Sequence, residues 1–374
     1  MSTNGASLTI ETAMPPITNR LLFIDALKAL ASQLIVLHHL AFYGPMSDHA
    51  QALAPTVISW LSQDARFAVQ VFLVLGGFLA AQSLAPGGMM LAANPFGLLW
   101  KRYLKLVTPY IAAVLMAIAL AAAARALMEH DSVPGRPTLS QVMAHVLLLQ
   151  SLLGHDGLSA GVWYIAIDFQ LFSLLVGLLW VTRRVARNEA GAATATVWLV
   201  AALALTSIYY FNRDGDWDSW GVYFFGSYAL GIASCWTTAG KRSRLWWLLP
   251  IVLVVGAALL LDYRPRLVVA LATALALVLA RSGGFLENWP KSRLIAYLGQ
   301  ISYSVFLVHF PVCLLINGLF ARYAAPEPWV HLGGMIIAWL ASIAGGALFY
   351  RFVESAAQAG FRRRRPSGLV RQTP

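Results

Sequence analysis

Ten stretches of about 20 apolar residues follow one another along this chain, and they restrict the folds that it can adopt. A run of that length crosses a bilayer as a helix, and a helix satisfies its own backbone hydrogen bonds. Hydrophobic residues make up 59% of the chain and charged residues only 11%, whereas soluble domains carry about 25% charge. We predict an all-α, polytopic membrane bundle of about ten helices. The predicted helices cover 21–42, 62–82, 103–125, 162–182, 193–211, 220–237, 245–261, 266–281, 294–318 and 331–352.

The distribution of Lys and Arg predicts the orientation of these helices. With ten spans and a cytoplasmic N-terminus, most of the 27 basic residues fall on the cytoplasmic side, as the positive-inside rule requires. A shorter apolar stretch, 138–153, would place several Arg clusters outside if it were a span, so we predict an interfacial or re-entrant helix there. Both termini are then cytoplasmic. The predicted domains are an N-terminal tail 1–19, a membrane domain 20–354 and a basic C-terminal tail 355–374.

The net charge of +11 does not indicate a nucleic-acid partner. The basic residues lie at the ends of apolar blocks, where topology and contact with anionic lipid account for them. The two cysteines, Cys235 and Cys313, lie inside apolar blocks and have no C-x-x-C neighbour. We therefore expect packing residues rather than a disulfide or a zinc site, and no metal cofactor.

The first helix contains ionisable residues, which are costly inside a bilayer. Asp25 and Lys28 are three residues apart, so a mutual ion pair near the cytoplasmic end is the simplest interpretation. Lys28 and His39 are eleven residues apart, close to three helical turns, so they project from one face about 16 Å apart along the axis. His38 points about 100° away. His39 is either a functional residue near the outer surface or an interfacial histidine that hydrogen-bonds a neighbour.

Other polar residues lie in the third, fourth and ninth apolar blocks. Arg102 and Lys105 share one helix face at the predicted cytoplasmic boundary, where they either serve topology or hold an anionic ligand such as a phosphate. Asp168 lies about 8 Å below the outer surface, at the predicted depth of His39. It would either orient an imidazole base or form a structural hydrogen bond between helices. His309 lies in the outer half of its helix and would join this layer.

These residues fall within four segments that recur together in one family. RLLFIDALKALASQLIVLHH carries a basic residue, ten intervening residues and a histidine, here Lys28 and His39. KRYLKLVTPY and VWYIAIDFQLF are similar to an Arg-x-x-Arg segment and to a Trp-x-x-x-x-Glu motif, and LGQISYSVFLVHFPV to a signature near the C-terminus. In this order, together with QVFLVLGGFLAAQSL, they resemble the acyltransferase 3 family, membrane enzymes that O-acylate bacterial glycans, antibiotics and related acceptors. The chain departs from the family pattern at Lys28, Gly76, Lys105 and Asp168, where Arg, Ser, Arg and Glu are usual.

The resemblance implies an acyl-CoA donor, most often acetyl-CoA, supplied from the cytoplasm, and an acceptor hydroxyl on a glycan or related molecule at the outer face of the bacterial inner (plasma) membrane. We expect His39 to act as general base and Asp168 to orient it or to stabilise its imidazolium. The CoA phosphates would lie against Arg102 and Lys105, with the pantetheine arm passing Lys28. The residues expected to contact the substrate are Trp163, Tyr303 and His309.

Two interpretations from other classes remain open at this stage. A transporter or flippase of a glycan or lipid-linked intermediate would use the same intramembrane charges as a proton pathway. The chain shows no internal repeat, which argues against that alternative. A non-catalytic scaffold in a polysaccharide synthesis complex would need none of these charges for chemistry. Transfer of label from acetyl-CoA is expected of the enzyme alone.

Overall fold

The computed structural model describes residues 20–86, 88, 94–239, 246 and 248–363, with side chains described through residue 360. The predicted tail 1–19, most of the predicted C-terminal tail and residues 245 and 247 of the seventh predicted helix lie outside these residues. In the described part of the chain the regular structure is helical, which confirms the all-α prediction. The helices are α1 Leu22–Phe42, α2 Met46–Ala50, α3 Pro55–Gln63, α4 Val69–Leu84, α5 Pro95–Leu127, α6 Leu139–Val146, α7 Val162–Val185, α8 Glu189–Tyr209, α9 Gly221–Thr237, α10 Leu248–Leu261, α11 Pro265–Ser282, α12 Arg293–Tyr323, α13 Pro328–Phe349 and α14 Ser355–Arg363.

Eight helical segments in the described residues are long and apolar enough to cross a membrane. They comprise α1, α4, α5, α7, α8, α11, α12 and α13 with their short extensions. Two other predicted spans form shorter helices, since α9 has 17 residues and α10 has 14. The protein is therefore a membrane protein with several apolar helices. The count of ten spans and the orientation of the termini stay predictions.

The helix ends follow local sequence signals. The side chain of Asn94 caps α5 by accepting a hydrogen bond from the Gly97 backbone, and Pro95 occupies the first helical position. For this reason α5 starts eight residues before the predicted boundary at 103. The apolar pattern missed this first part because Lys101 and Arg102 interrupt it.

The stretch 138–153 does not span a membrane. Its helical part, Leu139–Val146, has eight residues, a length of about 12 Å. Thr138 caps it in a capping box with Gln141. The rest of the stretch forms turns, which agrees with the prediction that this segment is not a span.

Two groups of helices form the bundle. In one, α12 packs against α1, α5 and α13, and in the other α9 packs against α4, α7, α8 and α11. Glycines permit the closest approaches, as is usual between helices in membranes. A Cβ at Gly231 of α9 would lie 1.9 Å from the Val74 carbonyl oxygen of α4, and a Cβ at Gly77 would lie 1.9 Å from that of Tyr228. The α4–α9 contact is thus backbone against backbone.

Arg20 fixes the start of α1 to α12. It is also the ion-pair partner of Asp25, in place of the predicted partner Lys28. Arg20 Nη2 forms the ion pair with Asp25 at 2.9 Å and also donates to the carbonyl of Ala296. Arg20 Nη1 donates to the side chain of Gln300. The prediction failed because a residue just before the helix reaches Asp25 more directly than Lys28 does. Close packing adds to this contact, since a Cβ at Gly299 would lie 2.2 Å from the Asp25 carbonyl oxygen.

Replacing Gly231 by Ala should destabilise the bundle, because the new methyl group would overlap backbone of α4 and force the two helices apart. Overpacking of this kind costs about 1–3 kcal/mol. We expect the melting temperature of the purified protein in detergent to fall by several degrees. Gly256→Ala in α10 is the matched control, because nothing lies within 4 Å of a Cβ there. Equal melting temperatures for the two variants would contradict the close α4–α9 packing.

Candidate functional site

A cavity of about 820 Å³ lies at the end of the bundle where α1 terminates. Its wall includes His39 from α1, Phe306 and Phe310 from α12, and the loop segments 131–136 and 156–163. Arg125 at the end of α5 donates hydrogen bonds to the carbonyls of Pro134 and Gly135, which fixes one of these loops. Helices therefore form one part of the cavity wall and loops form the other. The 131–136 loop is held in place by the end of α5.

His39 and His309 form a hydrogen-bonded pair beneath this cavity. The distance between His39 Nδ1 and His309 Nε2 is 2.6 Å, and the two rings are nearly coplanar, with an interplanar angle of 2°. His309 is fully buried, whereas His39 is partly accessible and lines the cavity. The pairing joins α1 to α12.

The hydrogen bonds determine which nitrogen carries the proton in the neutral pair. His309 Nδ1 lies 3.0 Å from the Val305 carbonyl, and because a carbonyl only accepts, His309 Nδ1 must donate. In neutral His309 the Nε2 atom then accepts, so His39 Nδ1 donates to it. His39 Nε2 is left with its lone pair and with no hydrogen-bond partner in the described part of the chain. This is the protonation state of a general base.

Asp168 lies against Arg102 and not against His39. The distance between Asp168 Oδ2 and the Arg102 guanidinium is 2.5 Å, and the guanidinium carbon is 5.2 Å from the centre of the Phe172 ring. The structure therefore replaces the predicted pairing of Asp168 with His39 by an ion pair between α7 and α5. Asp168 is buried, so Arg102 extends into the bundle instead of ending at a membrane surface as expected. The Arg102 side chain is longer than that of a histidine, and its charge compensates the buried carboxylate of Asp168.

Gly76, where the family usually has Ser, lies beside this ion pair. A Cβ at Gly76 would be 3.7 Å from Asp168 Oδ1 and 3.3 Å from the Tyr228 ring. A serine hydroxyl here would therefore be within reach of the carboxylate. In this chain Arg102 supplies the side-chain hydrogen bond to Asp168.

Lys28 and Lys105 lie near a carboxylate that the sequence did not single out. Both lysines interact electrostatically with Glu354, which is buried at the end of a π-helix, Tyr350–Glu354. The Ser304 hydroxyl donates to Glu354 Oε2 at 2.5 Å. The only sequence signal for Glu354 was an acidic residue at the very end of the last apolar block, which is also an ordinary position for a boundary residue.

The three residues expected to contact the substrate have different positions. Trp163 lines the cavity and stacks on Phe224 with a centroid separation of 5.5 Å. His309 is the partner of His39, with no surface of its own in the cavity. Tyr303 is not part of the cavity wall; its hydroxyl donates to the Leu106 carbonyl at 3.1 Å. Only Trp163 is therefore placed to contact a molecule in the cavity.

The segment 157–161, GLSAG, has the spacing of a serine nucleophile motif. In hydrolases that motif forms a sharp turn between a strand and a helix, with the serine against a histidine. Here it is a loop before α7, and the Ser159 hydroxyl is close only to the Ala160 carbonyl, at 3.5 Å. Within the described residues no histidine bonds to Ser159, so the segment serves as cavity wall rather than as a nucleophile elbow.

Removing only one charge of the Arg102–Asp168 pair should destabilise the protein more than removing both charges. A single substitution leaves an unpaired buried charge, which costs about 3–5 kcal/mol. We expect Asp168→Asn and Arg102→Gln each to lower the melting temperature more than the double variant does, as measured in one detergent. Additive losses in the double variant would show that the two groups act independently.

The comparisons with known proteins agree with this architecture. The sequence profile of the acyltransferase 3 family, described as an acyltransferase domain, matches residues 21–351, most of the chain. Comparison with curated proteins and with solved structures gives no significant match. The match runs from the start of α1 into the π-helix after α13 and so includes the histidine pair and the Arg102–Asp168 pair. The chain belongs to the acyltransferase 3 family and is an acyltransferase with membrane-spanning helices.

Proposed function

We propose that the protein transfers an acyl group, most simply acetyl, from cytoplasmic acyl-CoA to a hydroxyl of a glycan or related acceptor at the outer face of the bacterial inner membrane. The observation that carries this proposal is the bare Nε2 of His39 in the wall of the cavity, with its ring oriented by His309. A neutral imidazole with a fixed tautomer is suited to removing a proton from a hydroxyl.

The transfer needs one base and one leaving-group acid, and His39 serves as both. The acceptor hydroxyl gives its proton to His39 Nε2 while its oxygen attacks the thioester carbonyl carbon. The C–S bond then breaks, and the CoA sulfur takes the proton from the His39 imidazolium, which gives the ester and free CoA. During this cycle the imidazolium is stabilised by its hydrogen bond from Nδ1 to His309 Nε2, which becomes charge-assisted.

The donor would enter from the end of the bundle that carries Lys28 and Lys105. Lys28 is eleven residues before His39 on α1, a separation of about 16 Å along the helix. A long, thin donor with phosphates at one end and the thioester at the other suits this separation. Lys28 and Lys105 are the proposed phosphate contacts, and Arg102 pairs with Asp168. In this proposal Arg102 and Asp168 shape the route between the two ends.

The acceptor would occupy the cavity above His39. Its wall combines an aromatic face, Trp163, with charged groups of both signs, including Arg66, Arg136, Asp131 and Asp156. Sugars present apolar ring faces and many hydroxyls, so such a wall supports a glycan better than a hydrocarbon acceptor. The loops that cover the cavity are in the predicted outer region, in agreement with an acceptor outside the cytoplasm.

The decisive experiment is incubation of the purified full chain in nanodiscs with acetyl-labelled acetyl-CoA and a mixture of cell-envelope glycans. The proposal predicts label in the glycan fraction and release of free CoA. A transporter or a scaffold would leave the glycans unlabelled, which would refute the enzymatic proposal for this substrate class.

His39→Ala should reduce the rate constant of transfer by about 10³-fold, because it removes the base that the proposal assigns to the acceptor hydroxyl. His309→Gln should retain more activity than His309→Leu, since the amide of Gln can accept from His39 Nδ1 and Leu cannot. Steady-state kinetics in nanodiscs would measure both effects, with melting temperatures to verify folding. Equal activity of the two His309 variants would show that His309 does not orient His39.

Lys28→Gln and Lys105→Gln should each raise the KM for acetyl-CoA several-fold and leave the acceptor KM unchanged, because they remove cations from the proposed phosphate end. Lys291→Gln is the control: this lysine is exposed at the same predicted side of the membrane and far along the chain. A change confined to the acceptor KM would place the phosphate contacts elsewhere.

A further inference from the structure

One buried hydroxyl on α5 has no hydrogen-bond partner. Within the described residues five buried side-chain atoms lack a hydrogen bond, and the hydroxyl of Tyr110 on α5 is one of them. Tyr110 is fully buried. Leaving a hydroxyl unpaired in an apolar interior costs about 1–3 kcal/mol, and a phenylalanine would avoid that cost.

The other unpaired atoms have simpler explanations or lie elsewhere. Arg102 already binds Asp168 through a terminal nitrogen, and the side chain of Gln150 already donates to Val162. Ser47 and His331 belong to α2 and α13, which pack on each other. Tyr110 is different because its hydroxyl is its only polar atom. It therefore makes no hydrogen bond at all through its side chain.

Tyr110 lines a narrow apolar seam that adjoins the His39 cavity and is too small to hold a water molecule. Ala113, Val114 and Leu307 line the seam, and it shares Phe306 and the segment 159–162 with the wall of the larger cavity. The Phe306 ring is also 6.1 Å from the His309 ring, measured between centroids. The seam and the histidine pair thus both adjoin the Phe306 ring.

Tyr110 is also linked through Tyr303 to the cationic end of the bundle. Tyr303 interacts electrostatically with Arg102 and with Tyr110, and its hydroxyl binds the Leu106 carbonyl one turn before Tyr110 on α5. A donor that extends from Lys28 towards His39 would therefore pass Tyr303 before it reaches the seam. The reactive end of such a donor would lie near Tyr110.

We propose that the Tyr110 hydroxyl donates a hydrogen bond to the carbonyl oxygen of the acyl group, an assignment that rests on the proposed function. As the acceptor oxygen bonds to the carbonyl carbon, negative charge develops on the carbonyl oxygen, and the Tyr110 hydroxyl stabilises it while keeping its own proton. A fixed donor in a site without bulk water is most effective for such a charge. The hydroxyl lacks a protein partner because its partner is the substrate.

The first test is Tyr110→Phe in the full chain in nanodiscs. Loss of one donor to a developing oxyanion lowers kcat by about 100-fold, and we expect that loss with a KM for acetyl-CoA within about threefold of wild type. The melting temperature should stay the same or rise, because the variant removes an unpaired buried hydroxyl. If Tyr110 had only a structural role, the variant would keep its kcat. It would then not combine a lower kcat with an unchanged or higher melting temperature.

Tyr103→Phe is the matched control on the same helix. The Tyr103 hydroxyl is satisfied, since it donates to the Val146 carbonyl at 2.8 Å. Its removal should lower the melting temperature and leave kcat close to wild type. A Tyr110→Phe variant as active as wild type would overturn the role of Tyr110 alone. A wild-type protein that transfers no acetyl group would instead overturn the proposed function and this role with it.

A second test needs no turnover. S-acetonyl-CoA retains a carbonyl group near the sulfur, whereas S-propyl-CoA has a methylene group in its place. We expect wild type to bind the ketone about fivefold more tightly, the size of one hydrogen bond, and Tyr110→Phe to bind both equally, as measured by calorimetry. The same preference for the ketone in both proteins would show that Tyr110 does not contact the carbonyl oxygen.

Discussion

The contact between α1 and α12 is the interaction on which the rest of the site depends. Near the start of both helices, Gly299 lets the α1 backbone at Asp25 approach closely, and Arg20 binds both helices. At the other end His39 reaches His309. Because a helix is rigid over this length, the spacing at Gly299 also fixes the spacing of the two imidazoles. A larger residue at position 299 would therefore separate the two imidazoles, although it does not touch them.

The absence of water in a bilayer explains why the polar residues pair between helices. Arg102 binds Asp168, Ser304 binds Glu354, and each pair joins two different helices. In hydrocarbon an unpaired polar group is costly, so most are satisfied within the bundle. A polar atom that stays unpaired is then informative, because the protein accepts its cost. His39 Nε2 at the cavity and the buried Tyr110 hydroxyl are two such atoms, and both lie near the proposed place of acyl transfer.

The family pattern and the geometry agree on which helices contribute, but not on each partner. Lys28 and His39 share a helix face by spacing, and Trp163 lies in the cavity as expected. His309 was placed in the layer of His39, and it is the hydrogen-bond partner there. Asp168 was assigned to the same layer, because depth along a helix was the only available measure. In the structure the long Arg102 side chain reaches Asp168, which therefore pairs with Arg102 and not with His39.

The sequence by itself determined the approximate limits of most apolar helices, because hydrophobic length in a bilayer is a local property. It also determined which faces carry Lys28 and His39, because helical periodicity is equally local. The tertiary structure alone decided that His39 pairs with His309 and that Arg102 pairs with Asp168. It also decided that Glu354 interacts with Lys28 and Lys105, and that the buried Tyr110 hydroxyl has no partner within the described residues. These pairings depend on crossing points between helices far apart in sequence. The crossings are set by backbone packing at residues such as Gly299 and Gly231, which the apolar pattern does not reveal.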